Sequence, residues 1–447
     1  MSHGNNTGAS GNSGADIGWI YEFWAGIRDY VYVREEDDVV ILPPNKVYKT
    51  NKTGVQVLRY LNSGGKFEKD SRFTPAMLGD VVRFIGDIRD IERGEDVTTE
   101  AIPYDFDFTR LPILGEIAVT YRCNNSCRFC YAGCGSEQGC SKGHVGDSSL
   151  RDIEKIIGIF RNDAKIPFFS FTGGEPLLRD DLENMIVYAT GLKLRVNLIT
   201  NATLATKERA RSLYEAGLRT AQVSVESPDP AVHDALCGVD GAWKRTIDGI
   251  NALQSAGIAV QTNSTLTRVN RASLAGMPEF LASIGVGRFS MNLYIPQPGS
   301  PHASELFVRY SETGSFVDDM RKRAAASGRV FFWYSPTPLC IYNPVARGLG
   351  NKSCAAADGL ISVDPAGNVL PCSSYPEPLG NLLTRKFADV WFSGRAAHFK
   401  RKRYAPDTCV KCPSFVACQA ACPLYWAYAG YGELEEIARK KSKMEAI

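Results

Sequence analysis

The chain has 447 residues, 44% of them hydrophobic and 22% charged, with a formal net charge of +2. That length exceeds what one hydrophobic core usually holds, so two to four domains are expected, and near-neutrality announces no partner class. No run approaches the roughly 18 uninterrupted apolar residues of a membrane span, and the polar start MSHGNNTGASGNSGAD lacks the basic and apolar regions of a signal peptide. A cytoplasmic protein with no membrane or nucleic-acid partner is expected, its 13 cysteines kept reduced.

In chain order, residues 1–27 read as a disordered polar tail, and 28–110 as a small winged-helix-like α+β domain. The stretch YVYVREEDDVVILPPNKVYKTN alternates apolar and polar residues around an acidic turn and a Pro-Pro turn, the pattern of short antiparallel strands. TGVQVLRYLNSGG follows as a helix ended by glycines. TPAMLGDVVRFIGDIRDIERGE is then an amphipathic helix with Met77, Leu78, Val81, Val82, Ile85 and Ile88 on one face. A winged-helix DNA binder shares this pattern, but residues 1–110 carry 13 Lys and Arg against 18 Asp and Glu, a net charge of −5. Such a surface repels nucleic acid.

From 111 to 335 the chain alternates strands and helices. PILGEIAVTY, IPFFSFTGG, LRVNLIT, TAQVSVES, IAVQTNSTL and RFSMNLYIP read as strands with helical stretches between them. Six β/α repeats predict an α/β fold, a partial (β/α)6 TIM-like barrel whose active site lies at the strands' C-terminal ends. Residues 336–447 read as a cysteine-rich C-terminal domain. CAAADGLISVDPAGNVLPC predicts a hairpin closed by Pro365, Ala366 and Gly367. The region is short of periodic apolar sequence, so metal is expected to organise it.

The cysteines are clustered, five between Cys123 and Cys140 and seven between Cys340 and Cys422. Cys123, Cys127 and Cys130 form C-x3-C-x2-C directly after the first barrel strand. A four-iron cubane on three thiolates keeps one iron without a protein ligand. A closed zinc site completed by Cys134 or Cys140 is the alternative, and with it a non-enzymatic, zinc-stapled binding module.

This C-x3-C-x2-C, with the aromatic Phe129 before its last cysteine, resembles the radical S-adenosylmethionine (SAM) superfamily, and further landmarks recur in order through 111–296. The resemblance implies a [4Fe–4S] cluster on Cys123, Cys127 and Cys130 whose open iron chelates SAM, cleaved reductively to a 5′-deoxyadenosyl radical. Gly173, Gly174, Glu175 and Pro176 match the segment that holds the SAM amino group through backbone and carboxylate. Asn201, Ser224 and Glu226 end the third and fourth strands, as ribose and carboxylate contacts do in the family. Where the family often has an arginine for the SAM carboxylate stands Cys237, itself expected to be a small buried hydrophobe. Either Lys244 or Arg245 substitutes, or that contact is missing.

The C-terminal cysteines resemble the family's SPASM extension, which carries auxiliary iron–sulfur clusters. Cys354 and Cys372 bracket Gly367 in the pattern C-x12-G-x4-C, and Cys409, Cys412, Cys418 and Cys422 give C-x2-C-x5-C-x3-C. By family pairing, Cys354, Cys372 and Cys422 hold one auxiliary [4Fe–4S] cluster with Cys340 as a possible fourth ligand, and Cys409, Cys412 and Cys418 hold a second. The family's final cysteine is missing, so one or two auxiliary clusters are expected, the second having a non-cysteine ligand, an open iron, or no existence at all. Ser373 stands where sulfatase-maturing members place an aspartate, which disfavours that subtype. The basic run Lys400–Arg403 reads as a solvated or cluster-adjacent face.

Residues 28–110 resemble, in element order, the small PqqD-like domain with which such enzymes grip a precursor's leader as an added strand. The resemblance thus implies modification of a ribosomal peptide or protein, with ferredoxin or flavodoxin as reductant. The alternative is side-chain chemistry on a small molecule such as a tetrapyrrole.

Overall fold

The computed structural model describes residues 17–42, 46–93, 106–134 and 146–445, and the chain divides into two compact units, 1–103 and 104–447. The polar start up to residue 16, the Pro-Pro turn and Cys140 lie outside the described residues.

In the first unit the expected tail contains a helix, α1 (Gly18–Ile27), whose Ile20, Trp24 and Ile27 are buried. Their i, i+4, i+7 spacing is a helical apolar stripe that the polar residues ahead of it masked. Strands β1 (Tyr32–Arg34), β2 (Val39–Leu42) and β3 (Lys46–Lys49) form an antiparallel sheet in that order. At the acidic turn Arg34 binds Asp37 bidentately, with both contacts at 2.7 Å and both side chains buried. Helices α2 (Lys52–Asn62) and α3 (Pro75–Arg93) follow, the first capped by the Asn51 side chain, which accepts from the Gly54 amide at 2.8 Å. Val81, Ile85 and Ile88 are buried as expected, whereas Met77, in the first turn ahead of them, is exposed.

In the second unit the six expected strands appear as β4 (Leu114–Thr120), β5 (Phe168–Gly173), β6 (Arg195–Thr200), β7 (Thr220–Ser224), β8 (Ala259–Leu266) and β9 (Arg288–Leu293), parallel and in sequence order. Between them run α4 (Leu150–Asn162), α5 (Leu182–Gly191), α6 (Lys207–Glu215), α7 (Pro230–Cys237), α8 (Ala242–Ser255) and α9 (Met277–Ser283). Two further parallel strands widen the sheet, β10 (Val330–Trp333) beside β9 and β11 (Leu360–Val363) beside β4. Strands β12 (Asn368–Leu370) and β13 (Gly380–Asn381) add antiparallel to β11, so the sheet runs β10-β9-β8-β7-β6-β5-β4-β11-β12-β13.

The predicted hairpin is present as β11 and β12, and the cysteine-rich C-terminal region also shares a core with the barrel. Ile361, Val363, Val369, Trp391 and Trp426 belong to the same buried cluster as Ile117 and Phe171 of the barrel strands. The apolar residues of this region are few per element, and they complete an existing core instead of building their own.

Candidate functional site

At the C-terminal ends of β4 to β9 opens a cavity of about 360 Å³ whose lining includes Cys123, Cys127 and Cys130. The loop carrying them is held on two sides. From one, the amides of Ser126 and Arg128 donate to the carbonyls of Cys237 and Leu236 at the end of α7, both at 2.9 Å. From the other, the amides of Gly174 and Glu175 donate to the carbonyls of Thr120 and Arg122 at 2.8 and 2.9 Å.

Both glycines are required by this second contact. A Cβ on Gly173, whose φ is +136°, would fall 2.0 Å from the Thr120 carbonyl oxygen, and one on Gly174 would fall 2.2 Å from that of Arg122. Backbone thus meets backbone where side chains have no room.

The three thiols differ in surroundings. Burial pushes Cys123 up to about 12. A bond to the Cys237 thiol, then burial, raises Cys127 well above the ordinary thiol range. A bond from the Cys134 thiol, together with backbone amides including that of Cys134 at 3.4 Å, pulls Cys130 down to about 6. Cys134 is buried and supports Cys130, an arrangement the sequence left unexplained. Among the described residues no three His, Cys, Asp or Glu side chains converge as a single metal ion requires. Among the described residues the buried Asn125 Oδ1 on this loop has no partner, an orphaned acceptor in the cavity lining that a bound donor would satisfy.

Phe129, Asn201, Ser224 and Glu226 line the cavity with Gly173 and Gly174. Asn201 Nδ2 donates to Asn124 Oδ1 at 2.9 Å, which joins the end of β6 to the cysteine loop. Phe129 packs against Leu236, Tyr294 and Leu306. Glu226 is buried and accepts from the Thr265 amide at 2.7 Å; burial pushes its carboxyl up to about 7.

Glu175 departs from the expectation. Its carboxylate is fully buried and accepts from Thr200 Oγ1 at 2.6 Å, the Asn201 amide at 2.8 Å and the Leu177 amide at 2.9 Å. Those three donors occupy both oxygens, so it ties the Gly-Gly turn to the end of β6 and does not line the cavity.

Around position 237 neither basic candidate reaches the cavity. Lys244 pairs with Asp248 at 2.8 Å on the exposed side of α8, and Arg245 donates to the Asp240 carbonyl at 3.2 Å. Neither lines the cavity. Cys237 does, and it is more than a buried hydrophobe: its sulfur lies 3.4 Å from His233 Nε2. Because His233 Nδ1 accepts from the Glu226 amide at 3.2 Å, Nε2 carries the proton and points it at that sulfur.

Glu116 went unnoticed in the sequence. It lies on β4, lines the cavity, and accepts from Ser362 Oγ at 3.1 Å, with Ser373 as a further partner; burial raises its carboxyl. Its signal was a charge in an otherwise apolar strand. Gln222, Asn263 and Asn292 likewise put amides on the cavity wall from three neighbouring strands, Asn263 donating to Asn292 at 2.7 Å. Among the described lining residues there are two carboxylates, Glu116 and Glu226, and no Lys or Arg.

Farther along the chain, Cys354, Cys372 and Cys422 are mutual neighbours: burial first, then the other two thiols, raises Cys422, and Cys354 acts on Cys372 in the same way. Lys402, fully buried, donates to the Cys354 carbonyl at 2.5 Å and lies 3.6 Å from Asp358, so at this residue the basic run packs against Cys354 and is not solvated. Cys340, by family pairing a possible fourth ligand with Cys354, lies on the segment after β10, which the fold brings against the last cysteine loop: the Leu339 amide donates to Cys418 Sγ at 3.3 Å, and Cys340 adds to the rise of Cys409.

Comparison with known proteins agrees with this layout. The model of the radical SAM superfamily matches residues 117–281, and that of an iron–sulfur cluster-binding domain, SPASM, matches 354–413. An AdoMet-dependent heme synthase of Nitratidesulfovibrio vulgaris is 28% identical over 66% of this chain and 82% of its own length. A PqqA peptide cyclase of Xanthomonas oryzae pv. oryzae is 26% identical over 68% and 80%. Among solved structures, Streptococcus suis SuiB bound to S-adenosylmethionine superposes with a TM-score of 0.65 at 15% identity, over 89% of this chain and 97% of that one. Native anSMEcpe with bound AdoMet gives 0.57 at 16%, over 74% and 98%. At these identities the solved structures establish the fold, and the two family models, in order on one chain, displace the zinc-module alternative. The chain is a member of the radical SAM superfamily of enzymes, with a C-terminal SPASM iron–sulfur cluster-binding domain.

Proposed function

We propose that the protein matures a ribosomal peptide or a protein by abstracting hydrogen from an unactivated position. With SAM on a four-iron cluster at Cys123, Cys127 and Cys130, the site would supply a 5′-deoxyadenosyl radical. Three thiols on one loop, grouped at one side of a polar cavity and hemmed in by Gly173 and Gly174, carry this reading. Asn201, Ser224 and Glu226 present the hydrogen-bonding groups for SAM, and Cys237, with its sulfur held by His233, stands where a cationic contact would be expected. Glu116, with Ser373 and Ser374, lines the wall near the C-terminal thiols and would face the substrate. Cys354, Cys372, Cys409, Cys412, Cys418 and Cys422 would hold auxiliary clusters. A low-potential ferredoxin or flavodoxin would supply the electron.

Two observations favour a peptide. The PqqA peptide cyclases and the SuiB structure bound to its precursor peptide SuiA are among the proteins this chain resembles. The likeness to SuiB covers 89% of the chain, more than the second unit alone contains. The first unit, an antiparallel sheet of three strands with both outer edges unpaired within that sheet, suits the addition of a leader as a further strand.

The heme synthase relatives support the second reading, chemistry on a tetrapyrrole. A carboxylate-bearing macrocycle calls for cationic partners, and the described cavity wall offers Glu116 and Glu226 instead. Anaerobic incubation with SAM, reductant and peptides encoded beside the gene, followed by mass spectrometry, tests the choice. A mass change in such a peptide, lost on deletion of residues 1–103, is expected. Full activity on a tetrapyrrole by the deleted form would sink the peptide reading.

A further inference from the structure

The twelve described cysteines divide into five at the barrel mouth (Cys123, Cys127, Cys130, Cys134 and Cys237) and seven in the C-terminal region, and those seven sort unequally. The amide of Leu339, next to Cys340, donates to Cys418 Sγ at 3.3 Å. Twelve residues later Asn351 Nδ2 donates to the Ala417 carbonyl at 2.9 Å. The segment bearing Cys340 is thus fastened at two points to the loop that ends in Cys418. In that same loop the Cys412 amide donates to the Cys409 carbonyl at 3.0 Å, so the residue before Cys340 is bonded to the loop that carries Cys409, Cys412 and Cys418. Four sulfurs share one neighbourhood.

The remaining three, Cys354, Cys372 and Cys422, form the other group, and the further side chain bonded there is a phenol, Tyr404, which reaches Cys354. Between the two groups the backbone adopts an uncommon course. Gln419, Ala420 and Ala421 have φ of +56°, +56° and +58°, three successive left-handed residues with Cβ atoms, each costing roughly 1 kcal/mol or more. This turn separates Cys418, in the first group, from Cys422, in the second. Gln419 is fully buried, and among the described residues neither its Nε2 nor its Oε1 has a partner. An unpaired buried amide is costly, and a cluster sulfur beside it would accept from Nε2. Strain and an orphaned donor at the junction of two thiol groups are what a site built around absent clusters would leave.

We propose that Cys340 is the fourth ligand of the cluster on Cys409, Cys412 and Cys418, leaving the cluster on Cys354, Cys372 and Cys422 with an iron that no described cysteine binds. This rests on the reading that the SPASM domain carries two clusters. It closes the outlying site with four thiolates and opens the one adjoining the cavity, since Ser373 and Ser374, directly after Cys372, line that cavity.

The test is iron and sulfide content with electron paramagnetic resonance of the full-length protein, reconstituted anaerobically, as wild type, Cys340→Ala, Cys409→Ala, Cys354→Ala and the Cys340→Ala/Cys409→Ala double variant. About twelve irons per chain are expected in the wild type. Cys340→Ala should weaken the spectral component that Cys409→Ala removes, and the double variant should lose no more than Cys409→Ala alone. If Cys340→Ala fails to fold, Cys340→Ser should shift the spectrum of that same component. A change confined to the component lost in Cys354→Ala, or no spectral change, overturns the ligand assignment alone. A wild-type protein with about four irons overturns the two-cluster reading and the assignment together.

Discussion

The carbonyl oxygen of Arg122 lies 2.2 Å from where a Cβ on Gly174 would stand. This approach, with the Gly174 amide bonded to Thr120 at 2.8 Å, sets the seat of the cysteine loop. Gly174→Ala is therefore expected to force the loop outward, at a cost of about 1–3 kcal/mol by the usual penalty of overpacking. The checks are a lowered melting temperature and reduced iron uptake at the first cluster. Unchanged values for both would show that the loop is not seated by this contact.

Cys127 stands at the centre of that loop, bonded to Cys237. Cys127→Ala is expected to abolish SAM cleavage, measured as 5′-deoxyadenosine released under reducing, anaerobic conditions. Release at the wild-type rate would refute its role as an iron ligand.

Glu226 gives a pH prediction for the cofactor-free protein. Burial raises its carboxyl from 4.5 to about 7 in the folded chain, so the folded state binds the proton more tightly than the unfolded one. Stability is then highest below the unfolded value and falls as pH rises from about 4.5 to about 7. The total loss is on the order of 3 kcal/mol. Glu226→Gln keeps an acceptor for the Thr265 amide and removes the titration. Denaturation midpoints of the two proteins should diverge across that window in favour of the variant, and parallel curves would count against it.

Lys402 is fully buried between the Cys354 carbonyl and Asp358. Lys402→Met removes the ammonium that donates to that carbonyl and one of the cations beside Asp358, to which Lys400 stays at 3.4 Å. A loss of about 2–4 kcal/mol is expected from breaking a buried ionic contact. Thermal unfolding measures it, and a variant as stable as the wild type would show that the ammonium is held at no net gain.

Much of the central architecture was legible in the sequence. The strand runs of β4 to β9 are local patterns of two-residue period, and each appears where its pattern lies. The helix α1 was legible too, in Ile20, Trp24 and Ile27, but the polar residues before it drew it into an expected tail. C-x3-C-x2-C is read from spacing alone because its three thiols share one loop.

By itself, then, the sequence determined the barrel strands, the first cysteine loop and the superfamily, all signals contained within a few tens of residues. Tertiary structure decided what depends on distant segments meeting: β11 beside β4, Cys237 beside Cys127, Glu175 turned from the cavity toward β6, and Cys340 among Cys409, Cys412 and Cys418. Residue type and spacing state which groups can bond. Which partner each one meets is set by the packing of the shared core, whose residues run from Leu111 to Leu434, and no local pattern carries that information.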